Sequence, residues 1–323
     1  MVSEITQAVG QGECSMELAM ITFEQVGILF LLIFAGFVAV KTGAIKPEGR
    51  KILSDLLVYL IMPCMILNSY FMELNSEMLS NLIVSFGLST LLLVLAIIIS
   101  TLATLHRKDE NKKIIRFACT FSNAGYMGIP LIQALYGTEG TFYASAFLTM
   151  FNVMLWTVGC VMVDDKVKPK EIVKSIISTP VLYGVVLGII IYLCQIPVPR
   201  FIVQPVASIG NMNTPISMLI IGMIIAGSNM KFIVTNKDIW FTILFRMLLI
   251  PAISVALFWL LGFSGMTAKV VLIQAACPTA AITSVFAIRY GHDENTAAGA
   301  VVLTTLVSIV TLPLLAILLQ MFI

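Results

Sequence analysis

Ten runs of mainly apolar residues, each about the ~20 residues a helix needs to cross a bilayer, follow one another along the chain. They cover 22–41, 51–71, 80–105, 114–136, 140–162, 176–195, 204–227, 238–262, 267–289 and 295–321, with short polar turns between them. Nothing in the sequence constrains the fold more. Where there is no water, a helix is the form that satisfies every backbone N–H and C=O within one segment. Only 11% of the 323 residues are charged and 59% are hydrophobic, against roughly 25% charged in a soluble domain. The solvent of such a chain is largely lipid bilayer. No connection is long enough for an extramembrane domain, so the sequence predicts one all-α integral membrane domain over 1–323.

Several functions are disfavoured at this stage. A net charge of +2 gives no footprint for nucleic acid. The six cysteines (Cys14, Cys64, Cys119, Cys160, Cys194, Cys277) are scattered, and the two histidines, His106 and His292, stand apart from them. The sequence therefore predicts neither a metal site nor a cofactor. It offers no nucleophile–base pair and no phosphate loop, so an enzyme is not expected. The stretch MVSEITQAVGQGECSMEL lacks a basic leader and carries Glu4, Glu13 and Glu17, unlike a signal peptide. Met16 is an alternative start, and the first apolar run is expected to stay as an anchor.

Charge predicts the orientation. Lys and Arg collect in cytoplasmic loops. The connections 41–51, 105–116 and 163–175, with Lys231, Lys237 and Arg289, hold sixteen of the nineteen basic residues, all on one side if there are ten spans. The other side has Arg200 and Lys269 beside Glu73, Glu77 and Glu139. Both termini are thus expected outside the cytoplasm, in a multi-pass protein of the cell membrane.

Ten spans divide into two sets of five, and an odd number per set inverts the second relative to the first. Pro63 in the second span pairs with Pro215 in the seventh, 152 residues on, and Pro130 in the fourth pairs with Pro278 in the ninth, 148 residues on. Asn152 of the fifth span has its counterpart region in LTTLVSIVTLP of the tenth. The expected repeats are 22–162 and 172–322. Interrupted helices at matching places in inverted halves point to a transporter binding site.

The sharpest interruption is FSNAGYMGIPL, residues 121–131. Proline removes an N–H and displaces the carbonyl four residues back, and glycine loosens the backbone. The sequence predicts a fourth span broken into two half-helices, the outer one starting at Pro130, and a ninth broken likewise at Pro278. Two helix N-termini would then face each other at mid-membrane, where their free N–H groups attract anions. The candidate substrate-binding residues are Ser122, Asn123, Gly125, Gly128, Pro130, Asn152, Gln274, Cys277, Pro278, Thr279 and Thr304. Thr283 is a further polar neighbour. Arg246 either snorkels to the cytoplasmic interface or serves as a charge partner. Asp55 is expected about one turn into the second span. There is no midplane pair of carboxylates for proton antiport.

FSNAGYMGIPL, NTPISMLIIGMIIA, FRMLLIPAI and LTTLVSIVTLP together resemble the auxin efflux carrier family, which includes the plant PIN carriers and bacterial permeases for malate, malonate and related acids. The likeness covers nearly the whole chain. Without the long central loop of the larger plant carriers, the chain is most similar to the compact bacterial members. The resemblance implies a scaffold of spans 1, 2, 6 and 7, a transport domain of spans 3–5 and 8–10, and crossed broken helices 4 and 9 that hold the substrate. It further implies a small organic carboxylate as substrate and a homodimer formed through the scaffold. A sodium-coupled symporter and a membrane sensor without transport remain alternatives.

Overall fold

The computed structural model describes residues 24–164 and 167–322. The acidic stretch before the first apolar run, with the alternative start at Met16, lies outside the described residues. Among those described there is no β-strand, only one isolated antiparallel bridge, between Ser122 and Thr279.

The helices are α1 Glu24–Lys41, α2 Gly49–Ser69, α3 Ser76–Ala103 and α4 Lys112–Thr120, followed by α5 Ala124–Val163. Then come α6 Pro169–Ile177, α7 Pro180–Cys194, α8 Arg200–Ala226 and α9 Met230–Thr235. The last four are α10 Lys237–Leu261, α11 Gly265–Ala276, α12 Ile282–Arg289 and α13 Glu294–Phe322. Seven of these are long and apolar enough to cross a membrane, or eight if α6 and α7, bent by 57°, count as one span. The chain is a multi-pass, all-helical membrane protein.

The 40 residues of α5 would make a rod of about 60 Å, twice a bilayer core. The chain avoids this at Gly137, whose φ of 59° and ψ of −146° fold α5 into two arms, between the expected spans 114–136 and 140–162. A positive φ is open to glycine at little cost. Two other boundaries move. The seventh apolar run starts at Arg200 rather than 204, and α6 adds a short helix ahead of the sixth.

Two packing groups are evident. In one, α7 and the first half of α8 lie against Met62–Ser69 of α2. Glycines bring α1 and α8 together: a Cβ on Gly222 would strike the Ile33 carbonyl, and one on Gly36 would strike the backbone of Leu219. In the other group α3 packs on α5 and α11, and α13 on α10 and α12.

All five basic connections meet at one end. Arg50, Lys174 and Arg289 surround a single cavity mouth. Arg107 pairs with Asp238 and so ties the α3–α4 connection to the start of α10. Nε2 of His292 sits 2.9 Å from the Val163 carbonyl oxygen, tying the connection after α12 to the one after α5, and the Asn236 amide donates to the Thr296 hydroxyl at 3.1 Å, tying the start of α10 to that of α13. At the opposite end the Asn75 N–H donates to the Tyr192 hydroxyl at 3.1 Å.

Candidate functional site

Four π-turns occur among the described residues; the three that precede a proline bear on the broken and kinked helices, and the fourth, Leu155–Gly159, has no proline after it. Leu57–Ile61, Ala124–Gly128 and Leu244–Leu249 each end one residue before the dipeptide Met62–Pro63, Ile129–Pro130 or Ile250–Pro251 begins its α-helical run, or at its doorstep. In each case the N–H of the residue before proline reaches back five positions, to Leu57, Ala124 or Phe245. Proline offers no N–H and pushes the preceding turn apart. The wider i→i+5 turn takes up that push without ending the helix.

The fourth span is therefore not broken at Pro130. Helix α4 ends at Thr120, Phe121 is extended with φ −96° and ψ 121°, and α5 starts at Ala124, six residues before Pro130. Pro130 is absorbed by the π-turn as an internal helix residue. Pro278 behaves differently: it lies inside the unwound segment 277–281, and α12 starts four residues later at Ile282. So the two prolines do not hold equivalent positions, and the matching 148-residue offset does not mark the breaks.

The two unwound segments cross. The Asn123 N–H donates to the Pro278 carbonyl at 2.7 Å, and the Ala280 N–H donates to the Phe121 carbonyl at 2.9 Å. This two-bond ladder is the Ser122–Thr279 bridge. It satisfies buried backbone groups that a broken helix leaves behind. The Thr279 N–H donates to Thr304 Oγ1 at 3.1 Å, and the Thr279 hydroxyl donates to the Ala118 carbonyl at 3.1 Å.

Four helix ends converge there. The two C-terminal ends are held by Arg246. Its Nε donates to the Cys277 carbonyl at 3.0 Å and its Nη1 to the carbonyls of Cys119 and Thr120, at 3.3 and 3.1 Å. Nη2 donates to the Ala275 carbonyl. The side chain is 1% exposed, so Arg246 does not snorkel. The two N-terminal ends are different. Asn123, at the head of α5, and Ala281, at the head of α12, give no side-chain cap.

Those uncapped ends line a cavity of about 670 Å3 that opens at the basic end of the molecule. Ser122, Asn123, Gly125 and Tyr126 form one wall and Ala280, Ala281 and Ile282 another. The Ser122 hydroxyl and the Asn123 amide nitrogen are buried without a protein partner. Much of the side wall is apolar, with Met62 from α2, Leu148, Phe151 and Leu155 from α5 and Ile220 from α8, while Asn152, Thr179 and Ser284 add polar groups to the lining. Asp55, Glu171, Arg50, Lys174 and Arg289 lie towards the mouth.

Of the residues expected from sequence, Ser122, Asn123, Gly125 and Asn152 share this cavity. The Asn152 amide also donates to the Leu148 carbonyl at 2.7 Å. Others lie behind the crossing and shape it. Gly128 gives close passage to Cys277 and Gln274. Gln274 donates to the Ala144 carbonyl at 3.4 Å, and the Cys277 thiol donates to the Ile273 carbonyl at 3.3 Å. Pro130 is buried within α5. The Thr283 hydroxyl is buried and unpartnered. Sequence reasoning missed Tyr126, Met62, Phe151 and Ile220. They are apolar or aromatic residues in apolar runs, and nothing in one sequence separates a cavity wall from a lipid face.

A broken-helix crossing with free N-termini at the end of a half-buried cavity defines a membrane transport protein. Comparison with known sequences agrees. The profile of the family described as membrane transport protein matches residues 21–176 and 166–316. The chain belongs to this family, that of the auxin efflux carriers. It is 25% identical over 311 residues to a protein named uncharacterized transporter from Methanocaldococcus jannaschii, across 91% of this chain and 98% of that one. A second uncharacterized transporter, from Methanothermobacter thermautotrophicus, is 22% identical over 298 residues, across 90% and 96%.

Proposed function

We propose that the chain is a secondary carrier for a small organic anion, working by elevator-like alternating access. One observation carries this reading. Two uncapped helix N-termini and two unpartnered donors, the Ser122 hydroxyl and the Asn123 amide, converge at the inner end of one cavity. A helix end is worth up to about 2 kcal/mol to an anion when partly buried, and each hydrogen bond to a charged group adds roughly 1.5–3 kcal/mol. That is enough to hold a carboxylate, yet weak enough to release it.

The walls argue for one carboxylate on an apolar body. Arg50 and Met62 both line the cavity from α2 and are twelve residues apart, about 18 Å along a helix. A compact dicarboxylate seated at the crossing would place its second charge against Met62, Leu148 and Phe151. The basic mouth draws anions in without sharing the inner site.

In this reading the helices make ten crossings, with 22–162 and 172–322 as inverted repeats. The glycine contacts support it: Gly36 on α1 and Gly184 on α7, which approaches Pro63, are 148 residues apart. The group of α1, α2, α7 and α8 is the scaffold and the site of homodimer contact, and the other group moves. The cavity faces the cytoplasm and both termini lie outside. Uptake into proteoliposomes from a panel of carboxylates, with and without sodium and proton gradients, tests this. Saturable transport of at least one acid is expected. No transport of any acid by folded protein would sink it.

A further inference from the structure

We infer that Arg246 sets the sign of the helix crossing, acting through the two half-helix C-termini rather than by touching the substrate. This rests on the reading of the cavity as an anion site. Each helix end carries roughly half an elementary charge, positive at the N-terminus and negative at the C-terminus. The crossing brings together the C-termini of α4 and α11 and the N-termini of α5 and α12. Alone, these four partial charges nearly cancel. A crossing of that kind has no preference for the sign of its cargo.

The guanidinium breaks the balance. It keeps its positive charge at neutral pH, and all four of its contacts are carbonyl oxygens: Cys119 and Thr120 at one C-terminus, Ala275 and Cys277 at the other. The negative ends are neutralised and the positive ends are left facing the cavity. The same bonds occupy oxygens that a cation would need as ligands. Arg246 does not line the cavity, but Thr120 is only two residues from Ser122, which does. Two residues of extended chain span about 7 Å. A hydrogen bond at each end, 3.1 Å on the Thr120 side, puts the charge on the order of 12 Å from a bound anion, and with an effective dielectric of about 20 a unit charge at that range changes anion affinity about tenfold. A neutral donor can satisfy such a carbonyl, as the Thr279 hydroxyl does for that of Ala118. Here a charge does it, in a span that otherwise pays heavily for one.

The test separates charge from packing. Purified protein is titrated with phenylacetate and with its uncharged isostere phenylacetamide, and folding is followed by thermal unfolding and size exclusion. Wild type should prefer the acid, and Asn123→Ala should weaken acid binding. Arg246→Lys, which keeps the charge, should retain the preference for acid over amide. Arg246→Gln should lose acid affinity about tenfold with amide binding unchanged. Cys119→Asp sets a carboxylate beside the intact arginine and should lose the same preference, which covers the case where Arg246→Gln does not fold. A folded Arg246→Gln or Cys119→Asp protein that still prefers the acid would show Arg246 to be a structural clasp only. Wild type that binds neither probe, or binds the acid without regard to Asn123, defeats the anion-site reading and the inference with it.

Discussion

The hydroxyls of Tyr70 and Ser145 lie 2.6 Å apart, one at the end of α2 and the other on the second arm of α5, and both are buried. They close the end of the molecule opposite the cavity mouth. Tyr70 stands edge-on to Phe142 at 4.9 Å and to Tyr192 at 6.4 Å, so α2, α5 and α7 share one aromatic plug. A turn or more nearer the basic end, the same α2 and α5 part to line the cavity with Met62 and Phe151. The proposed alternating access requires this contact to break when the cavity closes. Tyr70→Phe removes one buried hydrogen bond, about 0.5–1.5 kcal/mol, and leaves Ser145 bonded to the Phe142 carbonyl. Hydrogen exchange over 66–75 and 140–148 should quicken in that variant. Unchanged exchange would mean that the bond is not a latch.

Asn123 offers a second test. Its backbone N–H is part of the crossing, but its amide nitrogen has no protein partner. Asn123→Ala should keep the ladder to Pro278 and the melting temperature, and lose roughly 1.5–3 kcal/mol of carboxylate binding. Asn123→Asp sets a like charge against the ligand and should lose more than Ala. Wild-type transport by well-folded Asn123→Ala protein would assign the side chain to patching the break.

How much of this was legible in the sequence depends on the kind of physics involved. Apolar runs of span length are a local signal, and the helices follow them closely. The basic loops are local too, and they do gather at one end. The break in FSNAGYMGIPL was legible as an event but misplaced in detail. Pro130 was the conspicuous residue, yet the chain unwinds at Phe121–Asn123, because a π-turn can absorb a proline while the bridge to Thr279 holds the strand open. That bridge joins residues 157 positions apart, and no local pattern announces it. Arg246 is the plainest case: two turns into an apolar helix it reads equally as a snorkelling side chain or a charge partner, and only the fold brings four carbonyls to it.

The contact of α1 with α8 is set by glycine, and it makes a stability prediction. A Cβ at Gly222 would run into the Ile33 carbonyl, the Phe37 N–H and the Gly36 backbone, none of which can rotate away. Gly222→Ala should therefore separate the helices and cost about 1–3 kcal/mol, as overpacking does. Gly87→Ala on α3 has nothing within 4 Å of the new Cβ and is the matched control. In a helix interior it should be neutral or slightly stabilising, since alanine is the better helix former. Thermal unfolding of the two variants in the same detergent checks this. Equal melting temperatures would mean that α1 and α8 do not pack as described.

Pro130 gives the last prediction, because its role has changed from starting a half-helix to widening one. The N–H of Ile129 bonds to the Ala124 carbonyl across a π-turn. Restoring an N–H at position 130 removes the push that opens the turn. An ordinary α-turn has one residue fewer per loop of hydrogen bonds, so relaxing the turn would rotate Asn123 and Ala124 by about 100° around the helix axis, one residue's share of a turn. Ser122 and Asn123 would swing out of line with the cavity. Pro130→Ala should thus weaken carboxylate binding at least as much as Asn123→Ala does, while unfolding no earlier than wild type, since alanine suits a helix interior. A structure of the variant should show the Ile129 N–H bonded to Gly125 instead of Ala124. If the π-turn persists and binding is unchanged, the turn is held by the packing of Gly128 against Cys277 and Gln274, and the proline only follows the shape that this packing dictates.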